Sequence, residues 1–221
     1  MPAVPSAHLL PDALRARFAK PPIWQPEVER ETSFSTRDPA PAAVLVPIVM
    51  RGPDVSRSTV LLTQRANHMA THSGQIAFPG GKVDPSDASR QATALREAQE
   101  EVGLDPYHVQ VIGELPVYVT GTSFLVTPVV GLVSPEFMLS PNADEVQDVF
   151  EVPLEFLMNP AHHRRHAFEW QGARRQWFSM PYQEPRMTPD GQCDPVERFI
   201  WGATAAMLRN FYRFLVVNPA P

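Results

Sequence analysis

The chain has a single cysteine among its 221 residues, Cys193, set in the polar stretch TPDGQCDP. Without a second thiol there is no disulfide to staple the fold, and no cysteine set to hold a structural zinc. Long apolar runs are missing as well, since no stretch approaches the roughly 20 residues a helix needs to cross a bilayer. The N-terminus, MPAVPSAHLLPDALRARF, places proline and charge where a secretory signal needs unbroken apolar sequence. These absences predict a cytoplasmic protein without a membrane partner. Basic excess is lacking too: 19 Lys and Arg against 24 Asp and Glu give a net charge of −5. That excludes a protein that coats nucleic acid, which draws on a surplus of lysine and arginine. An acidic protein still binds a polyphosphate where metal ions bridge the two.

Proline is plentiful, and eight of the 25 prolines fall in residues 1–41. We read 1–41 as a Pro-rich N-terminal extension with one short helical candidate at Asp12 to Ala19. Its open roles are wrapping the domain, packing on a second subunit in a homodimer, or staying mobile. The domain proper is read as 42–221, a length ample for one core. AAVLVPIVM (Ala42 to Met50) and STVLLTQR (Ser58 to Arg65) read as strands joined by a turn. HVQVIGELPVYVT (His108 to Thr120) and SFLVTPVVGLV (Ser123 to Val133) read as two more. Glu145 to Met158 reads as a strand running into a short helix, and His166 to Trp170 with Ala173 to Met180 as a hairpin. TAAMLRNFYRFLVV (Thr204 to Val217) has the helical spacing of a final amphipathic helix. Strands mixed with two principal helices predict an α/β (α+β) fold, a mixed sheet between helical layers.

The densest chemical information lies in GQIAFPGGKVDPSDASRQATALREAQEEVGL, residues 74–104. At 100° per residue Glu97, Glu100 and Glu101 span a 100° arc of one helix, and Gln91, Leu95, Ala98 and Val102 form a neighbouring arc that faces a core. Three carboxylates within a turn repel one another, and a divalent cation neutralises them. A hard ion, Mg²⁺ or Mn²⁺, suits such oxygen donors. An ordinary solvated helix face would also tolerate three glutamates, but not with the flanking sequence found here. Asp84 and Pro85 predict an N-cap and first helical position, Asp87 a charge favourable to the dipole, and Gly103 a left-handed end with Leu104 folding back. Phe78 to Gly81 breaks regular structure and lets backbone approach the carboxylates.

This segment resembles a Nudix box, GX5EX7REUXEEXGU with U aliphatic. Gly81, Arg96, Glu97, Ala98, Glu100, Glu101, Gly103 and Leu104 match it, with Ala98 smaller than usual. Asp87 replaces the early glutamate, and one extra residue separates it from Arg96. Upstream, LLTQRANHMATHSGQIAFPGG (Leu61 to Gly81) is similar to the LLTxRSxxxRxxxGxxxFPGG pattern of the coenzyme A pyrophosphatase branch, with Ala66 and Ala70 in place of serine and arginine. VTPVVG, DEVQDVFEVPL and FIWGATA extend the likeness over roughly 42–216.

The resemblance implies a Nudix fold and a metal-dependent pyrophosphohydrolase that cleaves coenzyme A or its thioesters to 3′,5′-ADP and 4′-phosphopantetheine or its acyl form. The alternatives are the same chemistry on ADP-ribose, a dinucleotide or a damaged nucleoside triphosphate, and a nucleotide-sensing module that no longer hydrolyses. Glu97, Glu100 and Glu101 are the candidate metal ligands, with Arg96 holding one of them through a forked ion pair. Candidate catalytic groups are Arg96, Glu100, Glu101 and Glu145; the last lies in a DEV segment resembling a mobile catalytic loop, though a plain loop acid reads the same. Arg65, His72, Gly80, Gly81 and Lys82 are the candidate substrate contacts. HisHisArgArgHis (His162 to His166) is the densest positive run, either a solvated loop or a partner for the 3′-phosphate of coenzyme A.

Overall fold

A computed structural model of the chain describes residues 1–31, 38–52, 57–67, 74–170, 173–188 and 190–217. Among them, a mixed sheet forms the centre. β1 (Ala40–Val49) pairs antiparallel with β2 (Thr59–Arg65) and with β4 (Gly80–Lys82), while β2 pairs with β3 (Ile76–Ala77). β5 (Val109–Glu114) and β6 (Tyr118–Val119) both run antiparallel to β7 (Phe124–Val133), which lies parallel to β1 along all ten residues of each. β8 (Val146–Pro153) closes the far side against β2. The strand expected over His108 to Thr120 is therefore two: Leu115 N–H still donates to Pro128 O on β7, and the ladder breaks at Pro116, whose missing N–H cannot continue it.

The alternation of β1 sorts its side chains between two cores. Ala43, Leu45 and Val49 face helix α2 (Arg90–Val102), together with Ala94, Ala98 and Val102. Val46 and Ile48 face the larger core, which takes Leu14 from helix α1 (Pro11–Ala19) and Leu208, Phe211 and Leu215 from helix α4 (Gly202–Val216). A period-2 strand buried on both faces reads as an unbroken apolar run, which is how Ala42 to Met50 looks. Helix α3 (Leu154–Leu157) follows β8, and a second antiparallel sheet of β9 (Arg164–Trp170), β10 (Ala173–Glu184) and β11 (Val196–Trp201) packs beside α4.

The N-terminal segment shares the main core. Val4, Leu9 and Leu14 are buried in it, and the backbone N–H groups of Glu27 and Val28 both donate to Asn210 Oδ1 on α4. Glu31 N–H donates to Val119 O and Val119 N–H to Glu29 O, so the segment adds a short parallel pairing beside β6. No helix among the described residues is long and apolar enough to cross a membrane.

Candidate active site

Helix α2 begins later than its sequence suggests. Ser89, not Asp84, is the N-cap, its hydroxyl accepting from Ala92 N–H. Asp84 instead closes a separate turn, accepting from Ser86 N–H at 2.8 Å, while Asp87 N–H donates to Asp84 O. At the other end Gly103 is left-handed at φ 71°, and the buried Leu104 donates its N–H back to Ala98 O. The buried stripe is Thr93, Ala94, Ala98 and Val102; Gln91 lies outside it, exposed and donating to Glu114. That orientation turns the glutamates toward β4.

Glu101 sits at the junction of helix and sheet, only 5% exposed. Its carboxylate accepts from Gly80 N–H at 3.2 Å and lies 3.9 Å from Arg65 Nη1. Burial penalises the charged form more than these two contacts favour it, so the carboxyl is pushed up to about 7. Burial also raises Glu97, against the pull of Arg96. Gly81 is pressed against that side chain: a Cβ there would stand 2.4 Å from the Glu97 carboxyl. The double glycine thus brings backbone onto the buried Glu101 and the half-buried Glu97.

Arg96 is occupied as an organiser. Its fork goes to Asp87, Nε to Oδ1 and Nη2 to Oδ2, each at 3.0 Å. Its Nη1 donates to both Glu97 (2.9 Å) and Glu100 (3.0 Å), and Nη2 also reaches Lys82 O. The forked partner is therefore Asp87 rather than a box glutamate, and Asp87 is drawn well below the usual carboxylate range by that pairing. Glu100 is the exposed member of the three, its side chain 59% accessible.

Glu145 stands close enough that its charge raises both Glu97 and Glu101. It is half-buried at the end of a hydrogen-bonded turn, with Glu145 N–H donating to Asn142 O and Ala66 N–H to Glu145 O. Asn142 N–H in turn donates to Glu101 O, which ties this turn to the end of α2.

A cavity of about 410 Å³ opens beside β4, in the range of small-molecule sites. Arg65, Gly80, Gly81, Lys82, Phe124, Trp201 and Met207 are among its lining residues, and Lys82 Nζ stands over the Phe124 ring, 5.7 Å from its centroid. His72 lies outside the described residues. The positive run 162–166 is not on this cavity: His162 stacks on Phe156, His163 bonds Leu157 O, Arg165 pairs with Glu27, and His166 stacks on Trp177. Residues the sequence reading left without a role at this site are Asp87, whose part needs the ion pair to be seen, and Glu31, which reaches the cavity from the N-terminal segment with no local signal.

Among the described residues no three Asp, Glu, His or Cys side chains converge on one point. The donor set still fits a hard divalent ion. Glu97 and Glu101 are carboxylates whose charge the protein leaves poorly compensated, and ions such as Mg²⁺ commonly take one or two carboxylates and fill the remaining positions with water and phosphate oxygens.

A family profile, the NUDIX domain, matches residues 39–180. Two relatives, both described as uncharacterized Nudix hydrolase NudL, match over 215 residues, 97% of this chain and 99% of theirs. The one from Citrobacter koseri is 41% identical and the one from Salmonella heidelberg 39%. A crystal structure of a NUDIX hydrolase from Alicyclobacillus acidocaldarius aligns at TM-score 0.48 and 19% identity, over 57% of this chain and 85% of that one. The chain belongs to the Nudix hydrolases. Members of this family generally require a divalent metal ion and act on small molecules.

Proposed function

We propose that the chain is a Mg²⁺- or Mn²⁺-dependent pyrophosphohydrolase that cuts coenzyme A or its thioesters into 3′,5′-ADP and 4′-phosphopantetheine or its acyl form. The observation that carries the hydrolytic part is Glu101, a buried carboxylate raised to about 7 that accepts from the N–H of Gly80, a residue lining the cavity, with Glu97 packed against Gly81. The upstream LLTQR…FPGG likeness supports coenzyme A.

In this reading Glu97 and Glu101, with Glu100 released from Arg96, would hold the divalent ion, which when bound would lower the pKa of a water and take up charge on the phosphate oxygens. Arg65 and Lys82 face the pyrophosphate, and the backbone of Gly80 and Gly81 lets it come close. Glu145 accepts the proton of the attacking water, and Arg96 keeps the carboxylates in place without meeting substrate. Catalysis of this kind is chiefly positioning and charge stabilisation.

One observation favours a second substrate. Among the described residues lining the cavity the cations are Arg65 and Lys82, a number that matches a pyrophosphate. That suits ADP-ribose or a dinucleotide. The test is product analysis after incubation with coenzyme A and Mg²⁺, followed by kcat/KM against its 3′-dephospho analogue and ADP-ribose. Release of two phosphorylated products and a preference for the 3′-phosphate support coenzyme A. Equal rates on the analogue, or preference for ADP-ribose, moves the substrate to the second reading, and no cleavage of any of them overturns the hydrolase.

A further inference from the structure

Resting on the reading that this cavity holds the substrate, we infer that Glu31 and Gln75 form a hydrogen-bonding notch that reads the amino edge of an adenine-type base. Both side chains reach the same point from different elements. A Cβ built on Gly202, at the start of α4, would lie 3.9 Å from Glu31 Oε1 and 3.5 Å from Gln75 Nε2. Gly202 has φ 64°, a conformation side chains rarely adopt, and it lines the cavity together with Glu31 and Gln75.

Glu31 is held in place. Gly121 N–H donates to its Oε2 at 2.8 Å, Tyr118 hydroxyl hydrogen-bonds the same carboxylate, and the flanking backbone is paired with Val119. The carboxylate accepts hydrogen bonds only; the Gln75 amide donates and accepts. Together they match a planar ring that offers an exocyclic N–H₂ beside a ring nitrogen. Trp201 and Phe124 bring aromatic rings to the lining of the same cavity. The negative charge of Glu31 also opposes a phosphate at this end, so the pyrophosphate is directed to Arg65 and Lys82. The N-terminal segment thereby supplies a specificity residue to the site.

The test compares each adenine substrate with its hypoxanthine counterpart, in which a carbonyl oxygen replaces the amine. Wild-type protein should prefer adenine by about ten- to hundredfold in kcat/KM, the worth of a hydrogen bond to a charged acceptor. Glu31→Gln, whose amide can turn to donate, should bring the two within about threefold. A ratio is unaffected by loss of folded protein, because both substrates lose equally. Running the pair as ADP-ribose and its hypoxanthine form removes the pantetheine amides: if discrimination vanishes there, the notch reads the amide arm and the inference fails. It fails as well if wild type does not discriminate, or if Glu31→Gln lowers both equally. Binding of AMP against IMP, followed by tryptophan fluorescence, gives the same ratio without hydrolysis, so a chain that binds but does not cut would overturn the activity and leave the notch standing.

Discussion

Two regions of this molecule bury charge, and they do it differently. Arg198 on β11 is 3% exposed and fully engaged: Asp148 at 2.5 Å, Glu184 at 2.7 Å, Gln64 at 2.8 Å, and the ring of Phe150 with its centroid 4.1 Å away. Asp148 stays below its ordinary range because Arg198 and Arg186 outweigh its burial. Glu101 is about as buried, yet its contacts are one backbone N–H and an arginine at 3.9 Å, and it rises to about 7. Arg198 joins the small sheet to the large one; Glu101 keeps a deficit that an added cation would fill. Burial alone does not separate a structural charge from a functional one. The quality of compensation does.

The largest effect expected from breaking that contrast is at the structural end. Arg198→Met leaves Asp148 and Glu184 with the more exposed Arg186 as their shared cation and should cost about 3 kcal/mol of stability, the lower end for a broken buried pair. Urea unfolding measures it. Turnover per folded molecule should stay near wild type, and an unfolding midpoint equal to wild type would remove Arg198 from the framework.

Glu101→Gln should do the reverse. Turnover falls about a hundredfold, the scale of losing a central electrostatic group, while the fold persists. Without metal the substitution should stabilise at alkaline pH. A carboxyl raised from 4.5 to about 7 makes folding take up a proton between those values, so its contribution is whole below pH 4.5 and is lost as pH rises through about 7. The loss is on the order of 3 kcal/mol. Thermal unfolding in EDTA should therefore show wild type weakening from pH 5 to 8 and Glu101→Gln staying flatter. Parallel curves for the two proteins would show that Glu101 carries no deficit.

Glu145→Gln tests whether the third acid near this pair does chemistry. As the base it should lower kcat by about a hundredfold, the lower end of proton-transfer contributions, and leave KM unchanged. A ligand would show weakened activation that recovers at higher Mg²⁺. Unchanged kcat at saturating metal and substrate would take Glu145 out of the mechanism.

What could be read from the sequence follows the same division. The glutamate face was legible because it obeys a local period and ends at a glycine. The start of α2 was not: Asp84 and Ser89 are equally good caps, and the choice is set by Asp87 reaching Arg96 nine positions on. The N-terminal segment has no periodicity to read, since Asn210 and Val119, far along the chain, order it. The positive run 162–166 looked like an anion site by composition; four of its five members, His162, His163, Arg165 and His166, are engaged by Phe156, Leu157, Glu27 and Trp177, partners that only folding supplies.

The smallest effect concerns the one position where this chain departs from the family box inside the ion-pair web. Asp87 stands where the pattern has glutamate, and an extra residue lies between it and Arg96. The longer loop and the shorter side chain offset each other, which leaves both oxygens at 3.0 Å from the guanidinium, with Thr93 Oγ1 donating to the same carboxylate at 2.8 Å. Asp87→Asn removes the charge that holds Arg96, and should weaken Mg²⁺ activation by about tenfold, as for other residues that orient metal ligands. Asp87→Glu keeps the charge and adds a methylene that the fork has no room for, so it should fall between wild type and Asp87→Asn. Activation curves for the three proteins check the order. If Asp87→Glu matched or exceeded wild type, the loop would tolerate either length, and the pairing of extra residue with shorter side chain would carry no geometric meaning.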